Sequence, residues 1–416
     1  MQILSGDFPL SASAAPPARL PVSVLTGFLG SGKTTLLQAL LRNPAMARTA
    51  IVINEFGEVG LDHLLVAKAS ENMVLMDSGC LCCTIRGDLV DTLRDLFLKR
   101  VKGEIPDFDR VVVETTGLAD PAPIIHTLMS DPLLAARFRL DGVIATVDAA
   151  HGSLQLDRQP ESVKQAAVAD RIVLTKTDVA TPAATVALMQ RLAAINPAAP
   201  VIPAAHGEVD PAKLFDAGLY NPETKSPDVA RWLREEAYRD EQAKAHEHHH
   251  HGHHHHGHHH HGHHDHGHEP HDHDHHGHDH DHDHHDHGHD HGHGDHCGPD
   301  CGHDHHHHDA NRHDDHIRAF CMVIDRPVPW NGFVDFMEAL IAQAGENLLR
   351  VKGLLNVQES DLPVVVHGVQ HMFHPPVRLE DWPSDDHRTK LVFITRDVGQ
   401  SVIEPLFNGL VWGEGK

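Results

Sequence analysis

Positive charge is what this chain most lacks. Lys and Arg number 34 against 59 Asp and Glu, a formal charge of −25 with the 46 His counted as neutral. With an imidazole pKa near ~6.5, about a quarter of those His carry a proton at pH 7, so the charge in solution is milder. A balance of that sign argues against nucleic acid or an anionic membrane as a main partner. Long apolar runs are missing too, since none approaches the roughly 18 residues of a membrane span. The opening MQILSGDFPLSASAAPPARL has neither a basic start nor a long apolar core, so it makes a poor signal peptide. Residues 1–20 read instead as a flexible leader, and the expected location is the cytoplasm. Cysteine is scarce, with six in the chain, and a second C-x-x-C is absent. In a reducing compartment, clustered thiols point to metal or redox chemistry rather than a disulfide staple.

What is present falls into regions of different composition. From residue 21 to about 225, short β-branched runs (PVSVLTG, TAIVINEFG, NMVLMDSG, FDRVVVETTG, LDGVIATVDA, DRIVLTKTD) alternate with helix-length stretches such as TTLLQALLRNP and RGDLVDTLRDLFLKRV. That alternation predicts βαβ units and a mostly parallel, doubly wound sheet buried on both faces, an α/β fold. Residues 226–245 read as a helical or linker segment. Residues 246–316 hold 38 of the His, with mostly Asp and Gly between them. No core can form from that composition, so disorder without metal is expected there. Pattern returns over 317–416, where strand-like IRAFCMVID, NLLRVKGLLNV, PVVVHGVQHMF and KLVFITRD accompany an amphipathic WNGFVDFMEALIAQAG. A small C-terminal α+β domain is expected.

GFLGSGKTT fits G-x-x-x-x-G-K-[ST] from Gly27 to Thr34, after a strand and before a helix. Gly27, Gly30, Ser31 and Gly32 would curl backbone N–H groups round phosphates at the start of the helix. Lys33 would reach the β- and γ-phosphates, and Thr34, followed by Thr35, would hold Mg²⁺. Glu114, ending the strand of VVVETTG ahead of Gly117, suits the Mg²⁺ ion or its water shell. In TKTD, Asp178 could accept hydrogen bonds from guanine N1–H and its exocyclic amine, with Lys176 over the base and Thr175 where Asn is usual. In NEFGEVGLD, a switch-like loop rich in acids and glycine, Asp62 could orient the attacking water while Glu55 or Glu58 touches metal.

SGCLCCT packs Cys80, Cys82 and Cys83 into four positions. On an extended strand Cys83 would face away from the other two, so convergence needs a turn, which Gly79 allows. Three thiolates, or two with a carboxylate such as Glu58, would make a labile site for zinc or Cu(I), suited to handing metal over. Redox thiols and inert buried cysteines are the alternatives. In the His tract, neutral imidazoles would bind Zn²⁺, Co²⁺, Ni²⁺ or Cu²⁺ in many overlapping sites, and Cys297 with Cys301 would form a tighter one. His367, His371 and His374 read as packed or surface side chains rather than ligands.

In this order and spacing, GFLGSGKTT, NEFGEVGLD, SGCLCCT, VVVETTG and TKTD resemble the CobW-type family of P-loop GTPases, and RVKGLLNV with KLVFITRD resembles its C-terminal domain. The resemblance implies a GTPase, turning GTP into GDP and phosphate, that acts as a metallochaperone. One branch serves zinc to client metalloproteins and another serves cobalt in cobalamin synthesis. It further implies that Cys80, Cys82 and Cys83 bind the transferred metal and that GTP hydrolysis gates its release. A homodimer is compatible with this reading. The alternatives are the cobalt-handling branch and a His-rich metal-storage protein. A nucleotide kinase would explain the P-loop but neither the thiol turn nor TKTD.

Overall fold

The computed structural model describes residues 19–54, 74–77, 85–215 and 316–413. All of them lie in one compact unit. The first part runs β1 (Leu20–Gly27), α1 (Lys33–Leu41), β2 (Thr49–Asn54), β3 (Val74–Asp77), α2 (Ile85–Lys102), β4 (Arg110–Thr115), α3 (Ala122–Ser130), α4 (Pro132–Arg137), β5 (Phe138–Asp148), α5 (Gly152–Arg158), α6 (Pro160–Val168), β6 (Arg171–Thr175), α7 (Pro182–Ile195) and β7 (Val201–Pro203). The strands form one parallel sheet in the order β3-β2-β4-β1-β5-β6-β7.

The period-2 alternation of β-branched residues explains why helices cover both faces. Val22 and Val24 of β1, Val111 and Val113 of β4, and Ile172 and Leu174 of β6 share a core with α2, α3, α6 and α7. The residues between them, Leu25, Val112 and Val173, face the opposite way onto Leu36, Leu37 and Leu40 of α1. Each such fully buried side chain contributes about 1.5–3 kcal/mol of transfer free energy. Strand β7 was not anticipated; its three residues are too short to show a period and end in Pro203.

The second part runs β8 (Ile317–Ile324), α8 (Trp330–Ala344), β9 (Leu348–Leu355), β10 (Val364–Val369), β11 (Met372–Phe373), β12 (Val377–Arg378), β13 (Thr389–Arg396) and α9 (Gln400–Trp412). Its antiparallel sheet has the order β11-β10-β9-β13-β8, with β12 beside β10. One face packs on α8 and α9 through Val351, Val366 and Phe393 against Phe333, Phe336 and Phe407. The other face, through Leu354, Val365, Val392 and Ile394, merges with the core of the first part. Among the described residues, no helix is long and apolar enough to cross a membrane.

Candidate nucleotide site

Strand β1 lies between β4 and β5, so the winding of the parallel sheet reverses there. The crevice outside the carboxyl ends of the strands at such a reversal is where ligands bind in open α/β sheets. The loop that leaves β1 is Gly27–Gly32, and α1 begins at Lys33. Gly32 caps the helix with φ +89°, a backbone region that L side chains rarely adopt, and its own Cα faces Thr175. The start of α1 therefore lies at the loop, the end of a helix whose N–H groups suit an anion.

The loop is braced from the strands beside it. The Ser31 hydroxyl shares a 2.6 Å hydrogen bond with Thr146 Oγ1 on β5. The Thr175 hydroxyl, at the tip of β6, lies 2.6 Å from the Ser31 carbonyl and 3.1 Å from that of Val147. Thus Thr175, where Asn is usual, ties the TKTD loop directly to the P-loop backbone. Lys33 Nζ donates to the carbonyls of Gly27 (2.9 Å) and Phe28 (3.3 Å), which keeps its ammonium inside the loop's curl. The Thr34 hydroxyl donates to Glu114 Oε1 at 3.3 Å across from β4, and Glu114 is buried. A hydroxyl and a carboxylate oxygen side by side are the hard oxygen donors that Mg²⁺ prefers. Thr35 follows on the first turn of α1 with its side chain exposed.

On the base side, Lys176 takes a left-handed conformation (φ +57°) and its ammonium meets Asp148 Oδ2 at 2.7 Å. Asp148 ends β5 and is buried. Burial opposes its ionisation, but hydrogen bonds from Lys176, from the Ala150 and His151 N–H groups and from the His151 ring outweigh that and lower its pKa. Asp178 Oδ1 accepts the His206 N–H at 3.1 Å, which holds its carboxyl below the ordinary value. The loop 204–208 that carries His206 also packs on α1, where a Cβ on Gly207 would come within 2.9 Å of the Thr35 carbonyl.

Gly27, Gly30, Ser31, Gly32, Lys33, Thr34, Glu114, Thr175, Lys176 and Asp178 are thus brought to one end of the sheet. Thr146, Asp148, His151 and His206 belong to the same surroundings and were missed from sequence. Asp148 in TVDA, at the end of a clear strand, was the available signal for one of them; His206, in the AAHG at 204–207, follows a strand too short to read. Asp62, Glu55, Glu58, Cys80, Cys82, Cys83, Cys297, Cys301 and the His tract lie outside the described residues. What the sheet does show is where β2 and β3 end. Ile53 of β2 pairs in register with Asp77 of β3 and with Glu114, and Glu114 with Leu25. Strands β2 and β3 therefore end level with the start of the P-loop. Among the described residues, no group of three His, Cys, Asp or Glu is arranged to hold a metal ion.

A P-loop on β1, an acidic strand tip on β4 and a K-x-D loop on β6 define a P-loop nucleotide-binding protein. Residues 21–203 match the CobW/HypB/UreG nucleotide-binding domain and residues 317–411 match the cobalamin synthesis protein cobW C-terminal domain, so the chain belongs to the CobW family. It is 46% identical over 197 residues to the zinc chaperone YjiA of Escherichia coli, covering 47% of this chain and 61% of that protein. It is 33% identical over 215 residues to the zinc-regulated GTPase metalloprotein activator 1 of Schizosaccharomyces pombe, covering 50% of this chain and 51% of that protein. The aligned segments thus span half to three fifths of these relatives' length. The crystal structure of Zn(II)-bound YjiA GTPase from E. coli superposes with a TM-score of 0.59 at 26% identity, covering 94% of this chain and 99% of that one.

Proposed function

We propose that this chain is a GTP-hydrolysing metallochaperone that binds zinc and delivers it to client metalloproteins in the cytoplasm. The observation that carries the reading is the joint bracing of the P-loop by Thr146 and Thr175, which couples phosphate and base recognition in one rigid unit. Similarity to proteins named zinc chaperone and GTPase metalloprotein activator supports both halves, and favours zinc over cobalt.

In this reading Lys33 neutralises the β- and γ-phosphates, and the backbone N–H groups from Gly27 to Gly32 cradle them. Thr34 and Glu114 are the residues that would hold Mg²⁺, whose charge stabilises the oxygens of the transferring phosphoryl group. Asp178 accepts from guanine and Lys176, anchored on Asp148, covers the base. Asp62 orients the water. Zinc, as cargo, is taken by Cys80, Cys82 and Cys83 with Glu58 as an alternative ligand, while the tract over 246–316, with Cys297 and Cys301, buffers metal. Because β2 and β3, the strands that precede these two segments in the chain, end level with the start of the P-loop, nucleotide state and thiol geometry can influence one another.

The test loads the full-length protein carrying Cys297→Ser and Cys301→Ser with Co²⁺ as a spectroscopic probe and compares GDP with a non-hydrolysable GTP analogue. A thiolate charge-transfer band that weakens in Cys82→Ser and changes intensity between the two nucleotides supports the reading. A spectrum indifferent to nucleotide removes GTP from the control of metal, and a band undiminished in Cys82→Ser removes the thiols from the cargo site.

A further inference from the structure

Gln165 has no part in the motifs above, yet it touches the loop on which a nucleotide switch would depend. It sits on α6, buried with 2% of its surface exposed, beside the buried Val163, Ala166 and Val168 of the same helix. Its side-chain Nε2 donates to the carbonyl of Gly117 at 3.2 Å and to that of Ala119 at 3.0 Å. One amide group thus uses both its protons on two peptide planes of a single short loop. That loop follows Glu114 directly and lies against the P-loop: a Cβ on Gly117 would come within 2.6 Å of the Leu29 backbone nitrogen. In P-loop NTPases the segment after the acidic strand is one of those ordered by the terminal phosphate. Holding the Gly117 and Ala119 carbonyls, with the Ala119 N–H bonded back to the Thr116 carbonyl at 3.1 Å, fixes the loop's peptide planes beside the P-loop.

The helix that carries Gln165 is itself fastened. Asn196 Nδ2 lies 2.9–3.0 Å from the carbonyls of Ala166, Ala167 and Ala169 at its end. Arg350 of β9 donates to the Val168 carbonyl at 2.6 Å and pairs with Asp170, which also takes Lys352 Nζ at 2.9 Å. The loop's far end is held by the second part of the chain as well, where Gln370 Nε2 donates to Asp120 Oδ2 at 3.2 Å. So the antiparallel sheet grips α6 on one side and the post-β4 loop on the other, and Gln165 joins the two.

We infer that Gln165 is a positioning residue for GTP hydrolysis: from a helix locked to the second sheet, it holds the Gly117–Asp120 loop against the P-loop in the arrangement that meets the terminal phosphate. This rests on the GTPase reading. The assignment differs from a packing role in what it demands of each nucleotide. GDP lacks the phosphate that the loop meets, so the loop's placement bears on GTP and on its hydrolysis.

The test compares wild type with Gln165→Met, which keeps the length and volume and loses both donors. Steady-state GTP hydrolysis is measured together with the affinities for fluorescent GDP and a fluorescent non-hydrolysable GTP analogue, with Mg²⁺ present. The expected result is a fall in kcat of about tenfold or more, with GDP affinity within about twofold and analogue affinity weakened. An unchanged or raised kcat, or an equal loss of GDP and analogue affinity, overturns the inference. If Gln165→Met does not fold, Gln165→Asn serves in its place: it keeps an amide but is one methylene shorter, so it loses its reach to the Gly117 and Ala119 carbonyls, and kcat should fall about threefold at unchanged GDP affinity. No change in that variant overturns the inference equally. Wild-type protein that binds but does not hydrolyse GTP overturns the GTPase reading as a whole, whereas wild-type turnover matched by the variant that folds overturns the role of Gln165 alone.

Discussion

Thr175 illustrates what one hydroxyl does at this site. Its O–H lies within reach of the Ser31 and Val147 carbonyls, both enclosed between β1, β5 and β6. Thr175→Val keeps the shape and leaves those carbonyls without that donor, at a cost of about 1–3 kcal/mol. GDP and GTP-analogue affinities should fall together, by about tenfold, in a fluorescence titration, because the tie orients the base loop whichever nucleotide is bound. A selective loss for the analogue would place Thr175 on the phosphate side instead. Gly117 predicts the opposite selectivity. A methyl group there would meet the Leu29 nitrogen at 2.6 Å and its Cα at 2.8 Å, and backbone cannot yield as a side-chain tip can. Gly117→Ala should push the loop off the P-loop and lower kcat by about 100-fold, with GDP affinity little changed. At this scale the consecutive residues Gly27–Thr34 were legible because their spacing is their geometry. The Asp148–Lys176 pair and the Gln165 contacts were not, since each joins positions more than 25 residues apart, and only the pairing of strands and helices brings them together.

Among elements, α6 and β9 depend on one another most. Arg350 and Lys352 alternate with Val351 on β9, so both cations face the first part of the chain while the valine faces α8 and α9. From sequence, RVK reads as easily as a strand with one wet face. The structure buries it instead, because Asp170 and the open carbonyl at the end of α6 supply the charge and the acceptor. Burial raises the pKa of Asp170, but Arg350 and Lys352 more than offset it and hold it well below the usual range. Burial also lowers Lys352, which Asp170 counteracts, to about 8. Removing one member of such a cluster leaves uncompensated charge in a dry place. Asp170→Asn should therefore cost about 3–5 kcal/mol in urea unfolding, whereas replacing Asp170, Arg350 and Lys352 together by apolar residues of similar size should cost far less. A small loss in the single variant would mean that water reaches the cluster.

The whole molecule should be sensitive to acid before its carboxylates titrate. Burial, together with the Lys352 charge, holds His367 well below its ordinary pKa, and burial followed by Arg350 holds His374 at about 3. The folded protein keeps both rings neutral, while the unfolded chain protonates them below about pH 6.5. Between those values the unfolded state binds more protons, so stability falls as pH drops, by about 1.4 kcal/mol per unit for each ring. Asp170 adds its own loss only as pH falls below about 4. Urea midpoints in chelator-containing buffer should decline from pH 7 to pH 5, and His374→Gln should reduce that slope by about half. A slope unaltered by the substitution would place the titration elsewhere.

The strand alternation, the phosphate loop and the K-x-D turn follow from local order alone, since periodicity and spacing translate directly into which face and which turn a residue occupies. The seventh strand, the anchoring of Lys176 on Asp148 and the Arg350–Lys352–Asp170 seam were decided by tertiary packing. So was the attachment of the post-β4 loop to a second sheet. Each is a pairing of polar groups distant along the chain, and burial selects such a partner only after the two sheets and the helices between them have come together.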